Sequence, residues 1–600
     1  MASPQPSDAL RSARRSLEGI SGYRLLDDLA WHNETQSWFL RCRLTVNVPN
    51  GLLPSASDWC VVTENVDLGG DVSIYPAMNG GIEQTFPHQR YNAPSEKSCP
   101  WRAGKICTTT PESVLGRLAQ REEPLGLEAR LIWHVERALL WITLASEGAL
   151  AANDAPFELP DFPGGNALRF VFSEDQSFFQ PFPNENHRSG LARLRRLTLP
   201  AGDTLVVDQF QSYTGRNLRS VTWGTRITNA SSQADTAKWI LLDSTPRVGP
   251  WQVPVTYGEL RLAMQEQGLS FDDIVLPLPA SLRDGRRHLL LVGFPIPEVI
   301  GGNPVQLHWQ ALRLPVLGRW VPNGFRENKA GWRMADQQTI VSDSKLCWIR
   351  SENWSPANSH ARGRFAPDLT NRNVLIIGAG ALGSAVVELL VRGGLKRLTI
   401  CDADLVEQGN LARHTLGIQD VGTGKAMALA TRLQSISAHV KVAVIPSVFP
   451  ALTPEQRDLA SACDLVIDCT AEESTLYAIE NHPWPEDAYA VSLSFGWYVH
   501  RLYVAGAPCR EFTRDSVVDF LRPFEEEDLA NHPAREMVGE GPGCWNPVFP
   551  GRCDDVWMMA AIGTKELERL VTQSDTGLRG SMFKWVKENE FEGVSRQEIG

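Results

Sequence analysis

Gly378-Ala379-Gly380-Ala381-Leu382-Gly383 stands between an apolar strand-like run and an apolar helix-like run. Glycines in such a turn let backbone amides approach a phosphate chain, and the start of the next helix adds donors and a positive dipole. Asp402 ends the following strand-like run, 24 residues after Gly378, where a carboxylate can accept from ribose hydroxyls. These residues alone say nucleotide, and a nicotinamide-dependent oxidoreductase is their usual reading. The next segment changes the chemistry. It contains Asn410-Leu411-Ala412-Arg413-His414 and then Gly422-Thr423-Gly424-Lys425-Ala426. Hydride transfer has no need of two cations beside phosphates. Nucleotidyl transfer does, because charge develops on the departing pyrophosphate. Arg413 offers a bidentate fork and Lys425 a point charge at a helix start.

Two cysteines sit in settings that suit a nucleophile. Cys544 lies in Gly541-Pro542-Gly543-Cys544-Trp545-Asn546-Pro547, where Gly and Pro on both sides imply an exposed loop. Cys553 is its near competitor. Cys107 lies in Gly104-Lys105-Ile106-Cys107-Thr108, downstream of Phe86-Pro87-His88 and Asn92. An ordinary loop thiol is the other reading of Cys107. Cys401 and Cys463 sit in apolar runs, as buried structural cysteines do. His134, between Trp133 and Trp141 on a helical stretch, reads as a packed residue with its ring nitrogens satisfied.

The elements that must position these groups follow from periodicity. The chain has 600 residues, too many for one core. Residues 1–18 read as a flexible N-terminus or a short exposed helix. Residues 19–150 form one unit, with strands at 38–48, 59–66 and 72–75, a Pro-rich loop at 86–111 and a helix at 127–145. On that helix Ile132, Val135, Leu139 and Ile142 share a face. Residues 151–350 are strand-rich, with a helix at 258–267 and no catalytic constellation. Residues 351–600 alternate strands and helices, with strands at 374–377, 398–401 and 465–467 and a late helix around 564–571. Such alternation predicts a parallel, doubly wound sheet. Hydrophobic residues at 43% and charged residues at 21% are globular proportions. With 58 basic and 70 acidic residues the net charge is −12, which argues against a nucleic-acid-coating protein. The most apolar stretch, residues 374–390, carries Glu388 and three glycines, so no membrane span is expected. The N-terminus has no apolar core of a secretory signal. Eleven cysteines without a CxxC pair imply reduced thiols and a cytoplasmic location.

The spacing of Gly378, Gly380, Gly383, Asp402, Asn410, Arg413 and Lys425 resembles that of ubiquitin-activating and ThiF/MoeB-type enzymes. That resemblance implies a Rossmann-type adenylation domain at 351–600, with ATP and Mg²⁺, acting on the C-terminal carboxylate of a small protein. The family usually carries Asp just after a strand-end Cys-Thr, where it helps hold Mg²⁺. Here the run is Asp468-Cys469-Thr470-Ala471-Glu472, so Ala471 takes that place. Asp468 and Glu472 become the candidates for the metal, with a turn cap as the other reading of Asp468. The paired CxxC motifs that hold zinc in many relatives are missing, so no structural zinc is expected. Relatives dimerise through this domain and reach the partner's ATP with an Arg ahead of the first strand. Arg362 and Arg364 hold that place, unless they are solvated linker residues.

The Cys544 segment resembles the thioester-forming loop of activating enzymes, where a thiolate attacks the acyl-adenylate and expels AMP. Residues 19–150 resemble the α+β fold of ubiquitin-conjugating enzymes, with Cys107 as the acceptor thiol. The usual His-Pro-Asn triplet is not intact, which leaves Asn92 or His88 as the polar group near the tetrahedral intermediate. The order conjugating-like domain, middle domain, adenylation domain resembles the fused E1–E2 proteins of bacterial type II CBASS anti-phage operons. The resemblance implies a partner, the C-terminal tail of a cGAS-like nucleotidyltransferase, passed from Cys544 to Cys107 and then to a target amine. A sulfur-carrier or other ubiquitin-like protein activator, or a non-catalytic tail-binding scaffold, are the alternatives.

Overall fold

The computed structural model describes residues 4–49, 51–64, 71–95, 98–108, 123–175, 188–230, 235–531, 538–540, 546–548, 550–573, 577–587 and 591–599. The chain forms two units. One comprises Met1–Ser220 with Gln233–Asn353, the other Val221–Ser232 with Trp354–Gly600. Among the described residues no helix is long and apolar enough to cross a membrane.

The first unit begins with helix α1 (Asp8–Ser16) and an antiparallel sheet in the order β1 (Tyr23–His32), β2 (Ser37–Thr45), β3 (Ala56–Glu64), β4 (Asp71–Pro76). Alternate residues Leu40, Cys42 and Leu44 of β2 are buried against helix α2 (Leu127–Glu147), as a pleat with one covered face requires. Two sequence expectations change here. The expected short N-terminal helix forms as α1, but it is docked rather than exposed: Ser7 caps it by accepting from the Leu10 N–H at 3.2 Å, and Leu10, Ala13 and Leu17 are fully buried in the same core. So few apolar residues among arginines and serines hide a docking stripe. The buried face of α2 is also turned from the expected one. Ile132 and Leu139 sit at its margin, while Ala138 and Ala145 face inward and Trp141 packs edge-on against Trp59 and Phe86. Small residues let the helix approach, and the large ring fills the remaining space.

The rest of this unit is an eight-stranded sheet. Its members are β5 (Gly164–Phe172), β6 (Ser189–Leu199), β7 (Gly202–Gln211), β8 (Asn217–Ser220), β9 (Asp235–Leu241), β10 (Leu289–Pro297), β11 (Pro304–Arg313) and β12 (Cys347–Asn353). The order is β5-β12-β11-β10-β9-β6-β7-β8, and β5 also pairs with β7, which closes the sheet on itself and leaves the short β8 as an edge. Helix α3 (Tyr257–Glu266) follows a capping box formed by Thr256 and Glu259.

The second unit is the doubly wound sheet. Its strands run β15 (Lys441–Ile445), β14 (Arg397–Cys401), β13 (Asn373–Ile377), β16 (Leu465–Asp468), β17 (Tyr489–Phe495), β18 (Arg501–Pro508), β19 (Arg579–Trp585) and β20 (Val594–Ile599). The first five are mutually parallel and the last three pair antiparallel. Val374 and Ile376 pack on one face with helix α4 (Ala381–Arg392), helix α5 (Lys425–Ile436) and helix α8 (Cys553–Gln573). Leu375 and Ile377 pack on the other face with helix α6 (Glu473–Glu480) and helix α7 (Arg514–Asn531). Both faces are covered, so β13 reads as one continuous apolar run. Helix α8 contains the expected helical stretch 564–571 and begins at Cys553, with Asp554 and Asp555 in its first turn where the helix dipole favours acids. A short segment from between β8 and β9 belongs to this unit. Gly224 and Thr225 donate backbone N–H groups to Ala438 and Val440, Thr225 Oγ1 accepts from the Val442 N–H, and Trp223 stacks on His439.

Candidate functional site

The strand order reverses between β13 and β16, and an open α/β sheet holds its ligand in the crevice at that point. The glycine turn sits there, and its three glycines have three different reasons. Gly378 has φ +89°, and a Cβ on it would lie 3.1 Å from the Cys469 carbonyl carbon. A Cβ on Gly383 would lie 2.0 Å from the Gly378 carbonyl oxygen. Gly380 caps α4, and a Cβ there would meet nothing within 4 Å. The first glycine serves the left-handed turn and the third the close packing of helix on turn, whereas the second fronts open space from which a phosphate can approach. That space is a cavity of about 360 Å³ whose walls include Gly380, Asn410, Arg413, Lys425, Thr470 and Val499.

The groups around the turn brace one another. Asp402 Oδ2 accepts from the Ala379 N–H at 2.7 Å and Oδ1 from the Asp404 N–H at 2.8 Å. The expected ribose acceptor therefore also holds the glycine turn, and it stands behind the cavity wall. Asn410 Oδ1 accepts from the Glu407 N–H at 2.9 Å, which shapes the turn that carries Arg413. Lys425 begins α5, where the helix dipole opposes a cation. Asp404 offsets this, with Oδ2 2.9 Å from Lys425 Nζ and its carbonyl accepting the Lys425 N–H.

His414 was missed by sequence reasoning, although it closes the Asn410-to-His414 run. Its Nδ1 accepts from the Leu416 N–H at 3.2 Å, so Nε2 carries the proton and donates to the Ala379 carbonyl at 2.6 Å. Burial draws its pKa below the ordinary value, and Lys425 acts in the same direction.

The two metal candidates border one cavity but differ in environment. Asp468 is fully buried; Oδ1 accepts from the Thr470 N–H and hydroxyl at 3.0 and 2.7 Å, and Oδ2 from the Ser492 hydroxyl at 2.9 Å. It caps the end of β16, and burial raises its pKa. Glu472 is exposed at the start of α6. One open carboxylate suits Mg²⁺, which takes few protein ligands and completes its shell with phosphates and water. Among the described residues no three His, Cys, Asp or Glu side chains gather into a metal cluster. Ala471 has φ +59°, a conformation that Asp adopts more readily than Ala. It also lines a second cavity of about 420 Å³, which shares Ser494 and Phe495 with the first. The second cavity has an apolar floor, Leu476, Val518 and Leu521, with Glu472 and Glu525 among its walls.

Cys544 lies outside the described residues. Cys553 is exposed at the first turn of α8. Cys401 and Cys463 are buried, which pushes their thiols up to about 12 and about 11, too high to be nucleophiles at neutral pH. Arg362 and Arg364 are exposed ahead of β13.

Cys107 is exposed on a fixed backbone. The preceding Ile106 is fully buried and donates its N–H to the Ile74 carbonyl, and the Cys107 N–H donates to the His88 carbonyl at 2.9 Å. Asn92 does not stand free beside the thiol as expected. It is buried, its amide donates to the Ile82 and Gln84 carbonyls, and its Oδ1 accepts from Arg102. Its polar atoms hold the loop together. His88 instead lends its backbone, with φ +57°, while its imidazole pairs with Glu158 at 2.9 Å. The bond to Glu158 raises the His88 pKa. His134 has both ring nitrogens satisfied, as expected, by Thr108 and Glu123.

Residues 148–354 match the family described as the Cap2 central linker domain, and residues 359–483 match the ThiF family. Over 580 residues, 94% of each chain, the sequence is 32% identical to the ATP-dependent ubiquitin transferase-like protein Cap2 of Enterobacter hormaechei subsp. hoffmannii (strain UCI 50). It is 29% identical over 156 residues, 23% of this chain and 28% of the relative, to the protein of that name in Pseudomonas aeruginosa (strain BWHPSA011 / Pa011). Among solved structures, Escherichia coli MccB with ATP covers 47% of this chain and 74% of its own at 14% identity and a TM-score of 0.26. The match to the Enterobacter protein runs through the four-stranded unit, the closed sheet and the nucleotide cavity alike, so the chain belongs to the Cap2 family of ATP-dependent ubiquitin transferase-like proteins.

Proposed function

We propose that the chain uses ATP to activate the C-terminal carboxylate of a partner protein and conveys it through two cysteines to an amine. The observation that carries this reading is the convergence of Gly380, Asn410, Arg413 and Lys425 on one cavity, with a second cavity of apolar floor and acidic walls sharing its Ala471 wall. The first suits the phosphates and the second an extended peptide tail. The tail's terminal carboxylate attacks the α-phosphate, pyrophosphate leaves, and Arg413 and Lys425 stabilise the charge that develops on it. Mg²⁺, held by Glu472 with the phosphates, supplies further positive charge when bound. The Cys544 thiolate attacks the acyl carbon and AMP departs. The Cys107 thiolate then displaces Cys544 from the acyl group, and an amine on the target displaces Cys107, leaving an amide and a free thiol.

In this reading residues 19–150 conjugate, 151–350 connect, and 351–600 adenylate. The partner is the tail of a cGAS-like nucleotidyltransferase, the setting is antiviral defence in the cytoplasm, and the adenylation domain works as a homodimer with Arg362 or Arg364 reaching across. A thioester trap tests it. The full chain is mixed with ATP, Mg²⁺ and a cGAS-like nucleotidyltransferase, and run on gels with and without reductant. The expected result is a reductant-sensitive adduct that persists in Cys107→Ala and disappears in Cys544→Ala. ATP binding without any adduct would overturn the relay.

A further inference from the structure

The residue after Cys107 is Thr108, whose side chain is 1% exposed and whose Oγ1 lies 2.7 Å from His134 Nδ1. His134, on α2, is 0% exposed, and its Nε2 lies 3.2 Å from Glu123 Oε1. The same carboxylate oxygen accepts from Arg130 Nε at 2.7 Å, which keeps Glu123 ionised. An ionised carboxylate only accepts, so Nε2–H is the donor to it. Burial disfavours the charged imidazole, so Nδ1 of the neutral ring accepts and the Thr108 hydroxyl donates. The direction of every hydrogen bond in the chain Thr108–His134–Glu123 is thereby set.

A buried polar chain costs more than aliphatic packing of the same volume unless each member is satisfied. If residue 108 served packing alone, Val would fill the place with no partners to satisfy. We propose that the Glu123–His134–Thr108 chain positions Cys107 for thioester exchange by tying the residue that follows the thiol to α2. The residue before the thiol is tied to β4 through Ile106, and the Cys107 amide is tied to His88. The thiol is thus exposed on a backbone held on both sides, and a nucleophile loses rate steeply when its placement loosens. His134 and Thr108 are positioning residues here. The proposal rests on reading Cys107 as the acceptor thiol.

Two substitutions separate hydrogen bonding from packing. Thr108→Val keeps the shape and removes the hydroxyl, whereas Thr108→Ser keeps the hydroxyl and removes the methyl group. The first readout is amide hydrogen exchange of the peptide spanning residues 103–108 in the full chain, which needs no partner protein. The second is discharge of the Cys107 thioester onto hydroxylamine after loading with ATP, Mg²⁺ and the nucleotidyltransferase. Thr108→Val, and His134→Phe with it, should speed exchange and slow discharge, each on the order of fivefold, as the loss of one net hydrogen bond predicts. Thr108→Ser should match wild type in both. Exchange unchanged in Thr108→Val, or faster exchange with undiminished discharge, would overturn the proposal. Failure of the parent reading looks different: no Cys107 adduct forms in wild type, and the exchange arm alone then decides whether the chain holds the Cys107 backbone.

Discussion

Asp402 and His414 grip the two backbone groups of one residue: the Asp402 carboxylate accepts the Ala379 N–H at 2.7 Å, and the His414 imidazole donates to the Ala379 carbonyl at 2.6 Å. The central peptides of the glycine turn are therefore clamped from both sides before a nucleotide arrives. Asp402→Ala or His414→Leu should each weaken ATP binding roughly tenfold, since a buried hydrogen bond of this kind contributes on the order of 1–2 kcal/mol. Isothermal titration with ATP and Mg²⁺ measures this, and unchanged affinity in both variants would show that the turn holds itself.

The pH dependence has a definite sign. The folded chain draws His414 below the ordinary imidazole value of 6.5, chiefly by burial. At neutral pH both folded and unfolded chains hold it neutral. As pH falls below 6.5 the unfolded chain takes up the proton and the folded chain resists, so stability declines. His134 and His439 are shifted the same way by burial and add to the slope. Denaturant midpoints between pH 7 and 5 should fall less steeply in His414→Gln than in wild type.

Lys425 is expected to matter to the chemical step more than to the fold. Its ion pair with Asp404 has one highly exposed partner, and such pairs contribute about 0–1 kcal/mol. Lys425→Met should leave the melting temperature nearly unchanged while lowering ATP–pyrophosphate exchange by about a hundredfold or more, the scale of losing one charge-stabilising group. Asp404→Asn, which frees the ammonium without removing it, should have a far smaller effect.

Ala471 offers a gain-of-function test. Its left-handed backbone costs a residue with a Cβ about 1–2 kcal/mol, less for Asp or Asn. Ala471→Asp should raise the melting temperature slightly and lower the Mg²⁺ concentration that half-saturates pyrophosphate exchange, by adding a carboxylate near Glu472. A higher Mg²⁺ requirement would place the metal elsewhere.

Short-range pattern made much of the adenylation unit legible. The strand, glycine turn and helix at 373–392 follow from apolar runs broken by glycines, and the cations gather on the turn because the strand order brings their loops there. Tertiary partners were not legible. Asn92 looked like a polar group near the thiol until its amide was seen holding carbonyls of its own loop. His134 and Thr108 are 26 residues apart in sequence, and only the packing of α2 brings them together. The burial of α1 escaped because its apolar stripe is so short.

Between β8 and β9 the segment at Trp223–Thr225 meets the start of β15, through Thr225 and through Trp223 on His439. The chain therefore passes from one unit to the other at three places, near residues 220, 232 and 353. A proteolytic cut near residue 353 would release residues 354–600 while leaving residues 221–232 of the same unit covalently attached to the other unit. Likewise, an adenylation unit produced from residue 354 onward would lack its own Trp223 and leave His439 without its stacking partner.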